Sequence, residues 1–298
     1  MEPAHLIKLA TTISILLLVF ALGLRARFSD ALSLFRTLFS PPHRLLRALF
    51  AMNVVVPVFA TAVVTVFDLP LPVKVAVLAM AVAPIPPLLP GKQLKFGGAS
   101  TYVFGLLVAV SLAAIVMVPL GVDVLGRVFH RESRLGVAPV AQLVGTTILL
   151  PLFAALVVRR FAPGVAEHAA PWASRLGTVL LVAGLVPVLV KVAPVMPSMI
   201  GNGSVLAVAL VVATAIAAGH WLGGPDLDER TTLAIASAMR HPGIALAIAT
   251  LNFPEEPSVP AAILLYLLIA IVATSVYGAW RKRVQVKQDQ KYDAEGTT

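Results

Sequence analysis

Five consecutive residues, Met239-Arg240-His241-Pro242-Gly243, combine a charge, a titratable ring and two backbone breakers inside an apolar stretch long enough to cross a membrane. Arg240 follows Asp228 by twelve positions, or ~18 Å of helix. That places it near the middle of a ~30 Å hydrocarbon core. An arginine at that depth costs at least ~2.5 kcal/mol, so it must face the bundle interior and find acceptors. Pro242 removes an N–H and Gly243 loosens the backbone, a pairing that predicts an interrupted helix. The carbonyls ending the first half near Met239 are then unpaired and partly negative, and the N–H groups opening the second half near Gly243 partly positive. Such a break can hold an ion or the charged end of a ligand. Arg240 reads either as a recognition group or as a structural cation on those carbonyls. His241 reads as a hydrogen-bonded structural histidine or as a group titrating near neutral pH.

A second break is predicted at Ala83-Pro84-Ile85-Pro86-Pro87-Leu88-Leu89-Pro90-Gly91, where four prolines cannot continue a regular helix. Lys92 and Lys95 follow it. They either mark the end of their span or, for Lys92, join Arg240 in a cationic centre. Asn53, Gln142, Thr146, Thr147 and His220 are polar groups within apolar runs, where interhelical hydrogen bonds are the expected use. Two interrupted spans at matching places in the two halves of a chain point to a transporter site at the interface of inverted repeats.

The elements that must carry these residues follow from composition. The chain has 298 residues, 59% of them hydrophobic and 12% charged, against roughly half and a quarter in soluble domains. It is read as an all-α polytopic membrane protein of about nine transmembrane helices, near 4–24, 45–67, 73–96, 99–120, 137–158, 171–193, 204–222, 228–252 and 259–280. One transporter domain is expected, with repeat one at about 1–120, repeat two at about 137–281 and a tail at 282–298. The first span is read as uncleaved, because its positive charge, Arg25 and Arg27, follows the apolar run.

Arg25, Arg27, Arg36, Arg44 and Arg47, then Arg159 and Arg160, then Arg281, Lys282, Arg283, Lys287 and Lys291 fall on one side of a nine-span protein. Positively charged loops stay cytoplasmic, so the amino terminus is expected outside and the carboxyl terminus inside, in a cell (inner) membrane. Arg127, Arg131 and Arg134 disagree, which implies an interfacial helix or a miscounted span. All fourteen Asp and Glu residues fall at or beyond span ends, which argues against an intramembrane carboxylate proton relay. The absence of cysteine removes disulfides, thiolate metal sites and a thiol nucleophile. The net charge of +9 is assigned to cytoplasmic loops rather than to nucleic-acid binding.

The segment from Asp228, DERTTLAIASAMRHPGIALAIA, resembles the broken-helix motif of the bile acid:sodium symporter family. Asn53 to Phe67, a short turn, and an apolar helix ending in Ala83-Pro84 resemble the family's helix, turn and first broken helix. The resemblance implies inverted repeats with two broken crossing helices. A panel of spans one, five and six would face a core made of the rest, with substrate between them and rocking that alternates access. It also places Ala236 where the family has a sodium-binding glutamate, Arg240 at its glutamine, His241 at its asparagine and Pro242 at its serine. The last span, around Ile263 to Leu268, lacks the family's histidine and asparagine. Both sodium sites therefore read as dismantled, with the Arg240 guanidinium in the place of one ion.

The function expected is secondary transport of a small organic anion by alternating access without sodium coupling. The candidate substrate-binding residues are Arg240, His241, Gly243, Pro242, Met239, Lys92 and Asn53. The alternatives are a sodium-coupled anion symporter with atypical ion ligands, or a non-transporting membrane binding protein. No HExxH, aspartate-rich phosphate/Mg²⁺ motif or GxSxG supports an enzyme. The partners expected are the anion and the lipid bilayer, with no cofactor and no resident metal.

Overall fold

The computed structural model describes residues 3–31, 34, 43–129, 136–200 and 202–295, and among them every regular element is helical. Arg36, Arg131 and Arg134, with Glu2 and Glu132, lie outside the described residues. The longer helices are α1 (Pro3–Arg25), α2 (Arg44–Val66), α3 (Leu71–Val82), α4 (Leu89–Lys95), α5 (Ser100–Val128), α6 (Val137–Phe161), α7 (Pro163–Val192), α8 (Ser204–Leu222), α9 (Leu227–Ala238), α10 (Pro242–Asn252) and α11 (Val259–Glu295). The third span is α3 and α4 with an unwound segment between them, and the eighth is α9 and α10. The first break falls on the proline cluster and the second immediately before Pro242.

Contacts between helix ends sort the chain into two faces. At one end Arg44 pairs with Asp226 at 3.4 Å and with Glu229 at 3.0 Å. Arg281 donates to the Leu227 carbonyl and the Thr231 hydroxyl, each at 3.1 Å. Gly224 packs on the Arg47 guanidinium and Gly97 on Gln285. Arg25 shares a surface pocket with Arg159 and Glu167. At the opposite end Gly203 packs on Phe67, and Leu71, Phe129 and Phe253 line one cavity. Among the described residues eight helices are long and apolar enough to span, and with the broken α3–α4 pair counted as one more crossing the groupings fit nine. Arg25, Arg44, Arg47, Arg159 and Arg281 lie toward a single end.

Arg127 is explained without a miscounted span. The 29 residues of α5 reach ~43 Å, beyond the core thickness. Its last turns, expected to end at 120, continue as helix to Val128, and Asp123 and Arg127 pair across one of them at 2.9 Å. Two other boundaries differ from expectation. Helix α7 begins at Pro163 rather than 171 and carries Pro171 inside it. Helix α11 runs to Glu295, so most of the expected tail is helical.

Helix α1 packs mainly on α7 and α6. The approach is close: a Cβ on Gly177 would lie 2.7 Å from Leu18 Cγ, and one on Gly23 would lie 2.6 Å from Ala155 Cβ. Leu24, Ala155, Ala166 and Ala170 form a small apolar cluster of their own among these three helices. The largest cluster joins α2, α3, α5, α8, α10 and α11. Small residues allow such backbone approach where lipid removes any hydrophobic drive between helices.

Candidate functional site

The two breaks meet, and proline dictates how. A carbonyl in an α-helix accepts from the N–H four residues on, so Pro84, Pro86 and Pro87 leave the carbonyls of Met80, Val82 and Ala83 without that donor. The same holds for Ala238 before Pro242. Ala83, extended at the end of α3, finds no substitute donor at Pro86 either, since proline has no N–H. The Arg240 Nη1 donates to this Ala83 carbonyl at 3.1 Å, and the His241 backbone N–H donates to the Pro84 carbonyl at 2.7 Å.

The third contact comes from α2. Residues Ala51–Val55 form a π turn in which the Val56 N–H bonds the Ala51 carbonyl. That donor is lost to Met52, and the next one along belongs to Pro57, which has none. The Met52 carbonyl, so orphaned, accepts from Arg240 Nη2. Arg240 is 1% exposed. Its guanidinium thus ties three interrupted backbones, α2, α3–α4 and α9–α10, through groups that the sequence deprives of local partners.

His241 caps α10. Its Nδ1 accepts from the N–H groups of Gly243 at 3.2 Å and Ile244 at 3.4 Å, which makes the ring neutral with its proton on Nε2. Pro242 fits the first helical position, where no N–H is needed. Four buried polar atoms here have no hydrogen-bond partner: Ser237 Oγ, Arg240 Nε, His241 Nε2 and Tyr266 Oη. Tyr266, from α11, is fully buried and within electrostatic reach of the guanidinium. Each of the four can donate. Sequence reasoning missed Ser237 and Tyr266; the signal available was a hydroxyl in an otherwise apolar turn of each span.

Arg240, His241, Pro242 and Gly243 are brought together as the sequence anticipates, with Met239 beside them packed among apolar side chains. Lys92 is engaged elsewhere: its Nζ donates to the Ile271 carbonyl at 3.1 Å and the Thr274 hydroxyl at 2.7 Å on α11. Asn53 bonds the Leu49 carbonyl of its own helix at 3.1 Å and lines a cavity of about 320 Å³ between α2, α3 and α5. That cavity also holds Pro57, Thr61, Val82 and Gly121, and does not include Arg240. His220 makes the interhelical bond anticipated for it, to the Tyr277 hydroxyl at 2.7 Å. Thr146 and Thr147 do not; their hydroxyls bond carbonyls of their own helix.

The family model described as the sodium bile acid symporter family matches residues 12–198, well over half of the chain. The chain belongs to the sodium bile acid symporter family. The match includes the first break and both π-turn helices and stops short of the second break. No curated protein matches the chain. As a member of this symporter family, the protein is a multi-pass membrane transporter for a small-molecule substrate. The Glu229-Arg230-Thr231 triplet of the family-like motif has a structural use here: Glu229 meets Arg44, Arg230 Nε donates to the Gly224 carbonyl, and Thr231 receives Arg281. It clasps the acidic N-terminal end of α9 to α2, its preceding loop and α11.

Proposed function

We propose that this symporter-family protein carries small organic anions by alternating access without sodium coupling, Arg240 supplying the charge that the family motif assigns to the ion. The observation that carries this reading is the cationic, donor-rich character of the centre. Two guanidinium nitrogens occupy backbone carbonyls, the acceptors a dehydrated cation would use. The atoms left over, Arg240 Nε, His241 Nε2, Tyr266 Oη and Ser237 Oγ, offer hydrogens and a positive charge. A carboxylate or sulfonate satisfies such a set, and the fixed positive charge of Arg240 disfavours a cation beside it. Met239, Pro242 and Gly243 shape the backbone around it, while Lys92 and Asn53 lie outside it, Asn53 in the wall of the adjoining apolar cavity.

The matching positions of the two breaks support repeats at about 1–120 and 137–281, with α1, α6 and α7 moving as a panel against the remaining helices. The shared basic end is assigned to the cytoplasm, with the amino terminus outside, in a cell (inner) membrane. Proteoliposomes test the coupling claim: uptake of radiolabelled small carboxylates and sulfonates is expected at the same initial rate in sodium as in choline. A strict sodium requirement overturns the uncoupled reading, and saturable binding without flux overturns transport.

A further inference from the structure

Helix α6 repeats the device of α2 and leaves it unanswered. Gly145–Leu149 form a second π turn, in which the Leu150 N–H bonds the Gly145 carbonyl, and the next residue is Pro151. By the argument that freed the Met52 carbonyl, the Thr146 carbonyl has neither an i+4 nor an i+5 donor. In α2 the freed carbonyl is buried and receives Arg240. In α6 the surroundings are open: Gln142 and Thr146 are exposed, and a Cβ on Gly145 would meet nothing within 4 Å. Thr146 lies nine residues into a 25-residue helix, ~14 Å from its end and within the hydrocarbon depth. A freed carbonyl beside an exposed amide is not tolerated against lipid; irregular backbone at that depth is buried in protein or lines a water-filled cavity.

We propose that Gln142 and the Thr146 carbonyl form a wall of the aqueous pathway and a hydrogen-bonding subsite, accepting from water or from a hydroxyl or amide hydrogen of the substrate. This deepens the transport reading and rests on it for the substrate, while the wall itself is a matter of water access alone. Pro151 is then a positioning residue, since it holds the carbonyl open by lacking a hydrogen.

The chain has no cysteine, so single cysteines report directly. Gln142→Cys, Thr146→Cys and, as a lipid-facing comparison on α7, Val179→Cys (Val179 is 65% exposed) are reconstituted in proteoliposomes. Each is treated on both faces with a charged, membrane-impermeant methanethiosulfonate and, separately, with an uncharged lipophilic maleimide. The charged reagent is excluded from hydrocarbon, so positions 142 and 146 are expected to react at least about tenfold faster with it than position 179. Reaction with the maleimide alone would place the strip against lipid, and reaction with neither would place it under protein; either result overturns the proposal. Both leave anion transport through the Arg240 centre standing, because neither measurement depends on a transported substrate.

Discussion

Arg240→Ala is expected to lower the stability of the protein by about 2–5 kcal/mol, the range found when a large buried side chain is truncated to alanine. The loss has two sources. The Ala83 and Met52 carbonyls, which lose the guanidinium donors, each carry an unsatisfied-acceptor penalty of about 1–3 kcal/mol. Deleting a long, fully buried side chain also leaves a void, for which large-to-alanine core changes cost about 2–5 kcal/mol. Relief of the buried charge offsets part of the sum. Arg240→Met separates these contributions, because it restores most of the volume while leaving the carbonyls orphaned; it is expected to recover part of the loss. Arg240→Lys keeps the charge but lacks the planar fork that reaches two carbonyls at once, and it is expected to remain well below the unmodified protein. Thermal unfolding in detergent reads all three, with a fall on the order of 10 °C for the alanine variant. Equal stability of all four proteins would remove Arg240 from the structural role assigned to it.

The second large effect concerns the approach that positions the arginine. Gly219 in α8 faces α9 so closely that a Cβ would lie 2.5 Å from both Ala234 Cα and Leu233 O and 2.6 Å from Ala234 N. All three are backbone atoms, which cannot swing aside as a side chain can. Gly219→Ala therefore forces the two helices apart, at a cost at or above the upper end of the about 1–3 kcal/mol typical of overpacking. Because α9 ends at the break, the displacement also moves Arg240 away from its carbonyls. Gly91→Ala in α4 is the control, since nothing lies within 4 Å of a Cβ there; it is expected to be neutral or slightly stabilising, as alanine favours helix over glycine. If the two variants unfold together, the close packing of α8 on α9 is not what holds the break in place.

Both breaks are legible in the sequence, because proline acts locally: Pro84, Pro86, Pro87 and Pro242 each strip a named carbonyl of its donor wherever the chain goes. The depth of Arg240 follows from counting along one helix. Its partners are not legible in that way. Met52 lies 188 residues away, and its carbonyl is free only because a π turn and Pro57 coincide, a conformation that apolar periodicity does not announce. Tyr266 joins the centre through packing of α11, and a tyrosine in an apolar run looks the same whether it faces lipid or an arginine. Lys92 shows the converse: its place after the first break suggested a shared cationic centre, yet the turn from α4 directs it to Thr274. The ends of α5, α7 and α11 differ from expectation because hydropathy marks where a chain leaves the membrane, not where a helix stops. In α5 the helix runs on past the expected edge, through the Asp123–Arg127 pair, to Val128.

The central claim is that a guanidinium stands where the family motif places sodium, and it is tested most directly by the response of the unmodified protein to sodium. A ligand bound to the folded state at 100 times its Kd adds about 2.7 kcal/mol to apparent stability, so an occupied sodium site is visible as a rise in Tm without any substrate. Unfolding in sodium chloride and in choline chloride of equal ionic strength is predicted to give the same Tm for the unmodified protein. A saturable rise in Tm specific to sodium would contradict the account.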